Sequence, residues 1–239
     1  MEVLKKFFDE YSLKASLVPT LIFVLLINLL YLLYYQKFFS LPNSLLQISL
    51  QTVVSLGLIF FLSSTIRGIG KYVVEELMYS GRINMPTTKI LLKPTKSRLS
   101  AQKIEEIYRY IFDDLNIDLK ERKQILKGQT LEAKKEISEV VTKIRDKTRS
   151  DDILKRYNIQ YGMYRNTTGG VLLFLALSLI TTVIDKVVFD FSSSVILFTV
   201  LIISFLLFFI LVFLTKKNAE DYAERLFDSF MLAVDRKAE

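Results

Sequence analysis

The stretch GGVLLFLALSLITTVIDKVVFDFSSSVILFTVLIISFLLFFILVFLTKK, Gly169–Lys217, decides how the chain is read. It holds two apolar runs, 170–189 and 193–214, with almost nothing between them. Each is about twenty residues, which at 1.5 Å per helical residue crosses the ~30 Å hydrocarbon layer of a bilayer. A second such pair lies upstream, 15–36 and 45–64, joined by the short link Lys37–Asn43. The pattern predicts a mainly α membrane protein with two transmembrane helical hairpins, 15–64 and 169–214. Between them sits a small α(+β) domain, 65–168. An amphipathic segment, 1–14, precedes the first hairpin, and an amphipathic helix, 215–239, follows the second.

Charge is segregated along the 239 residues. Positions 65–168 carry 22 Lys/Arg against 14 Asp/Glu, whereas the rest carries 10 against 11. The net charge of +7 therefore belongs to the insert. There is no cysteine and no histidine, which excludes disulfides, thiolate chemistry, Cys/His zinc sites and His-based catalytic dyads. No metal and no cofactor is expected. The opening MEVLKKFFDEYSLK places Val3, Leu4, Phe7, Phe8 and Tyr11 at helical spacing, with no small-residue cleavage site after the apolar run that follows. It reads as a retained surface helix rather than a signal peptide.

The flanks set an expected orientation. Lys5, Lys6, Lys14, Arg67, Lys71, Arg156, Arg165, Lys216 and Lys217 border one side, and each short link on the other side has a single Lys, Lys37 or Lys186. The positive-inside rule puts both termini and the 65–168 domain in the cytoplasm of a multi-pass inner-membrane protein.

Inside the spans, polar residues form stripes. Asn28 lies near the middle of the first. Gln47, Gln51 and Ser55 recur every four residues in the second, and Ser178, Thr182 and Asp185 run along the third. Two readings stand beside each other: a water-lined path assembled from several subunits, or interhelical hydrogen bonds that hold the bundle together. Four helices are too few to enclose a pore, so conduction requires a homo-oligomer.

In the insert, the Pro- and Thr-rich NMPTTKILLKPTK predicts a strand over Lys89–Leu92 between Pro86 and Pro94. Ser100 caps a helix whose Ile104, Ile107, Tyr108, Ile111, Phe112 and Leu115 point inward. A second helix follows Thr130 with Ile137, Val140, Val141 and Ile144 inward, and a short third one spans Asp151–Tyr157. The re-entry RYNIQYGMYRNTTGG alternates Tyr157, Tyr161 and Tyr164 with Arg156 and Arg165, the pattern of an interfacial belt, and Gly169–Gly170 reads as a hinge or a close-packing site. Past Lys217 a capped helix starting at Asn218 presents Ala219, Tyr222, Ala223, Leu226, Phe227, Phe230, Met231 and Val234 on one face, suited to packing on the insert or on another subunit.

Arg82, Lys89, Arg98, Arg145, Arg149 and Arg165, with Tyr161, are the candidate ligand residues, because guanidinium and ammonium groups gathered on a small fold suit a phosphate-bearing ligand. The plainer account is a solvated basic face drawn to anionic headgroups, at about 1 kcal/mol per charge. No recognised nucleic-acid motif accompanies the charge, so specific nucleic-acid binding is not expected. The pairs Glu75–Glu76, Asp113–Asp114 and Asp151–Asp152 diverge by about 100° on a helix and do not form an acid–base site. No P-loop, G-x-S-x-G or HExxH motif is present, and no enzyme activity is expected.

Two stretches carry a resemblance. Pro86, Thr87, Thr88, Leu91, Leu92, Leu99 and Ser100 form a PTT-x-LL…LS element. Thr148, Arg149, Asn158, Tyr161, Gly162, Arg165, Asn166 and Gly169 form a TR…N-x-x-YG-x-x-RN-x-x-G element before a span. Together they resemble an uncharacterised bacterial four-transmembrane-helix family, and that resemblance brings no activity with it. The plan of two spans, a cytosolic module and two spans is also similar to the four-helix membrane effectors of bacterial anti-phage systems. There a nucleotide signal triggers membrane disruption. The likeness implies a sensor domain for a nucleotide second messenger or a cytosolic protein, coupled to oligomerised helices in the lipid bilayer. The rival expectation is a non-conducting anchor that docks a cytosolic partner.

Overall fold

Backbone polarity has no outlet in hydrocarbon except within a helix or a closed barrel, and every regular element among the described residues is helical. The computed structural model describes residues 10–34, 59–80, 84–92, 98–119, 131–188 and 194–238. Helix α1 comprises Glu10–Ser12, a π-turn at Leu13–Leu17, and Val18–Leu33. Helix α2 comprises 59–69, a π-turn at Gly70–Val74, and Glu75–Tyr79. The others are α3 (Pro86–Leu92), α4 (Ala101–Leu115), α5 (Leu131–Lys147), α6 (Asp152–Val188) and α7 (Ser194–Ala238).

Among the described residues, three stretches are long and apolar enough to cross a membrane. They are Leu13–Leu30, Asp152–Val188 and Val195–Arg236, with mean hydropathies of 2.1, 2.2 and 3.3 over their best windows. Of the expected second span, 59–64 is helical, and the stripe Gln47, Gln51 and Ser55 lies outside the described residues, as does Arg82.

The chain forms two compact units. The first is Met1–Glu75 with Gly162–Thr215, and the second is Glu76–Tyr161 with Lys216–Glu239. In the first, Phe23, Leu30, Tyr34, Ile66, Phe174 and Leu197 make the buried cluster. Leu25 of α1 and Val195, Phe205 and Phe213 of α7 stay exposed, as lipid-facing side chains do. In the second, Ile90 and Leu91 of α3, Ile104, Ile107 and Ile111 of α4, and Ile137, Val140, Val141 and Ile144 of α5 close around Ala223, Leu226, Phe227 and Phe230 of α7. Those four α7 side chains have no exposed surface, so the C-terminal helix packs as part of this core.

The expected strand at Lys89–Leu92 is a helix instead. Pro86 occupies the first helical position, where a missing N–H is harmless and φ is already helical. Thr88 N–H and Lys89 N–H then donate to Met85 O at 3.0 and 2.9 Å. Thr87, Ile90 and Leu91 share the buried face at helical spacing, which outweighs the β-branched composition.

Two boundaries also differ from expectation. The short helix Asp151–Tyr157 and the third span are one 37-residue helix, α6, running straight through Gly169–Gly170. Asp151 Oδ1 starts it by accepting from the N–H groups of Ile153 and Leu154 at 2.8 and 3.0 Å. Likewise α7 is continuous over 45 residues, so Asn218 is a buried position inside it and not a cap. At about 1.5 Å per residue both helices exceed the hydrocarbon thickness. Helix α4 does begin at Ser100, whose Oγ accepts from Lys103 N–H at 3.2 Å, and it ends at Asn116 in the left-handed region, φ 53°. Phe112 of this helix is exposed rather than inward.

Tyr108 ties α4 to α3 by donating to Leu91 O at 2.7 Å. Burial, with the Glu105 charge adding to it, pushes its hydroxyl up to about 12. An unfolded tyrosine titrates near 10, so the folded state favours the neutral phenol. The stability it contributes, about 2–3 kcal/mol, is present below pH 10 and lost as pH rises from 10 to 12. Chemical unfolding across that range measures it, and Tyr108→Phe is expected to flatten the slope.

Candidate functional site

The site begins at a proline. Pro19 has no N–H for the carbonyl four residues back, that of Ala15, and the chain before it relaxes into the π-turn Leu13–Leu17, with Val18 N–H donating to Leu13 O. The freed Ala15 carbonyl is buried and must find a donor. It finds Asn166 Nδ2 at 2.5 Å. Asn166 is fully buried on α6, and its Oδ1 accepts from Arg165 Nε at 3.1 Å.

Arg165 then reaches the other π-turn. Its Nη1 donates to Glu75 Oε1 at 2.6 Å, and Glu75 is the residue that closes the turn Gly70–Val74. The two side chains are 9% and 6% exposed, so this ion pair is almost out of water. Glu75 and Arg165 also lie close in sequence to the points where the chain passes between its two units. The contact depends on glycine. A Cβ on Gly70 would sit 2.7 Å from Asn166 Oδ1, and one on Gly169 would sit 2.7 Å from Gly70 N and 3.0 Å from Ile66 O. Helices α2 and α6 therefore touch backbone to backbone, and Gly169 is the close-packing site, not a hinge.

Further along α6, Ser178 donates to Phe174 O and Thr182 to Ser178 O, at 2.9 and 2.8 Å. Asp185 Oδ1 accepts from Tyr34 OH at 3.0 Å. All three side chains are buried, with Ser178 and Asp185 each 1% exposed. The stripe packs inside the bundle, and the hydroxyls are satisfied by their own helix. Tyr34 is itself 1% exposed as the aspartate's partner. Asn28 is exposed and donates to Val24 O at 2.9 Å, within its own helix. Near the other end of the first unit, Thr168 Oγ1 and Thr215 Oγ1 are 2.9 Å apart and link α6 to α7.

The basic candidates do not converge on one pocket. Arg98 is paired with Glu220 and Asp221 at 2.5 and 3.1 Å, and Arg149 with Asp146 at 3.2 Å. Arg165 is committed to Glu75. Two of them, Arg145 and Lys89, fall around one aromatic cluster of the second unit, made by Tyr79, Tyr161, Ala219 and Tyr222. Tyr161 stacks on Tyr222 with centroids 6.4 Å apart and planes at 15°. Arg145 lies over the Tyr222 ring at 5.9 Å and Lys89 over Tyr79 at 5.7 Å. No group of three or more acidic residues able to hold a metal occurs among the described residues.

Sequence reasoning named Arg165 but missed its partner, reading Glu75–Glu76 only as a diverging pair that forms no acid–base site. The signal lay in Gly68 and Gly70 just after one apolar run and Gly169 and Gly170 at the start of another, because small residues on two helices mark a close crossing. An acid one turn beyond Gly70 would then be sought opposite the arginine. Tyr34 could be reached only through the fold.

The chain matches no family model, and no curated protein or solved structure is similar to it.

Proposed function

We propose that the protein is a multi-pass inner-membrane effector of bacterial defence, with the 65–168 domain and both termini in the cytoplasm. On this reading the cytosolic domain senses a nucleotide or a partner protein, and oligomerised helices then permeabilise the bilayer. The observation that carries it is the burial of ionisable groups in and beside the apolar segments: Asp185 against Tyr34, and Arg165 against Glu75. Such groups are expensive in a membrane and a buried pair is a poor source of stability, so their use supports a switching or conducting role. The buried stripe Ser178, Thr182, Asp185 is then the closed form of a path that the helices open on assembly.

The test is dye release from liposomes, with and without cyclic and linear nucleotides, alongside membrane potential on expression. Leak that Asp185→Asn and the triple change Gln47→Leu, Gln51→Leu, Ser55→Leu abolish, with helix content retained, is the expected result. No leak under any ligand and no depolarisation would retire the effector reading.

A second reading has its own support: Ser178, Thr182 and Asp185 all find hydrogen-bond partners within one chain. That suits a non-conducting anchor whose stripes are helix-packing contacts and whose cytosolic unit docks a partner. On it, the same substitutions leave partner binding intact and no permeability to lose.

A further inference from the structure

Arg145 stands apart from the other described arginines of the second unit. Arg98, Arg149 and Arg225 each face a carboxylate, and Arg109, Arg156 and Arg236 are exposed. Arg145 is half-buried, yet its contacts among the described residues include no acid. Its Nη2 lies 3.5 Å from Thr87 Oγ1, its guanidinium sits over Tyr222, and its Nε is buried without a hydrogen-bond partner. A guanidinium partly withdrawn from water, with its Nε unpaired, is a donor that an arriving anion can complete.

The neighbours suit one kind of anion. Thr87 is 2% exposed and brings a hydroxyl to the guanidinium. Lys89 of α3 is exposed, and its ammonium lies 5.7 Å from the centroid of Tyr79, a ring of the same aromatic cluster as Tyr222, which brings a second positive charge to that cluster. Tyr161 stacks on the ring that supports Arg145 and fixes its position. A planar fork of donors with a hydroxyl and an ammonium beside it recognises a tetrahedral, multiply charged oxyanion better than a single carboxylate. We infer that Arg145 and Thr87, with Lys89 at the edge, form a binding site for a phosphate group. This deepens the signal-sensing half of the function proposed above and rests on that reading for its biological meaning. The phosphate can belong to a soluble nucleotide or to a lipid headgroup, and the chemistry at Arg145 is shared.

The experiment uses full-length protein in phosphatidylcholine nanodiscs, titrated calorimetrically with AMP and with pyrophosphate, and repeated in nanodiscs containing phosphatidylglycerol. Arg145→Gln is expected to weaken AMP binding by about tenfold or more, and Thr87→Val and Lys89→Gln by about threefold each. Weaker AMP binding in the phosphatidylglycerol discs assigns the site to a headgroup, and equal binding assigns it to the soluble ligand. Both support the site. The unliganded melting temperature of Arg145→Gln should hold or rise, because an uncompensated charge is removed.

Wild-type affinity in Arg145→Gln, or binding of none of the three phosphate probes by the wild type, overturns the inference. So does a fall in melting temperature with unchanged affinity, which marks a structural arginine. Should Arg145→Gln fail to fold, Lys89→Gln decides, since that side chain is exposed: an unchanged affinity for AMP overturns the site. Phosphate binding through Arg145 without any leak would leave the site standing and retire the effector reading. Nucleotide-triggered leak unaffected by Arg145→Gln would do the reverse.

Discussion

Glu75→Ala is expected to be the most damaging single substitution in the first unit, lowering stability by about 3–5 kcal/mol. The reason is asymmetry. Removing the carboxylate leaves the Arg165 guanidinium without the Glu75 counter-charge in a site where its side chain is 9% exposed. Replacing both partners by apolar groups of similar volume, Glu75→Leu with Arg165→Met, should recover most of that loss, because no buried charge is then left alone. Thermal unfolding of the two single variants and the double variant in detergent gives the coupling directly. A Glu75→Ala protein as stable as wild type would mean that the pair is screened by water and is no buried contact. The double variant also separates structure from switching: a folded chain that no longer responds to any signal places the switch at this pair.

Gly169→Val is the second large effect. The added side chain would have to fit where an ideal Cβ already lies 2.7 Å from Gly70 N and 3.0 Å from Ile66 O. Both obstacles are main chain, so no rotamer relieves them, and the helices must separate. The expected loss is about 3 kcal/mol, at the upper end for overpacking. Separation would also draw Asn166 away from Ala15 O, so the damage should spread to the π-turn of α1. Gly68→Ala is the matched control. Nothing lies within 4 Å of its Cβ, and a helical alanine is favoured over glycine by about 1 kcal/mol. Opposite signs for two substitutions on facing helices, read in one melting experiment, would be hard to obtain from any other packing of α2 on α6.

Hydropathy and helical spacing made the larger elements legible. The described parts of the apolar runs, 15–33, 170–188 and 194–214, are helical in α1, α6 and α7. The inward faces of α4 and α5 were read from spacing nearly residue by residue, because periodicity at 3.6 survives whatever the chain does elsewhere. Composition misled where the segment was short. Thr87, Thr88 and Ile90 are β-branched and lie between prolines, yet seven residues were enough for one helical turn to bury Ile90 and Leu91. Helix ends inside long helices were hidden for a different reason. Asn218 and Gly169–Gly170 are breakers by local preference, but packing on both sides carries α7 and α6 through them.

The site was half visible. Arg165 and Asp185 stood out as charges beside or within apolar runs. Their partners, Glu75 and Tyr34, are 90 and 151 residues away in sequence, and no local signal points to a pairing across that distance. The basic candidates failed to gather because their partners are scattered: Arg98 meets Glu220 and Asp221 of α7, Arg149 meets Asp146 of α5, and Arg165 meets Glu75 of α2.

The π-turn at Gly70–Val74 has one more consequence. A π-turn holds one residue more than the α-helix needs for the same span, so everything after it is turned by about 100° relative to an uninterrupted helix. Glu75 faces Arg165 because of that extra residue. Were the turn to tighten into regular α-helix, or to travel along α2, Glu75 would swing off the arginine with no change in the number of backbone hydrogen bonds beyond one. The helix thus stores a fixed increment of rotation at the point where the buried charge pair reads it.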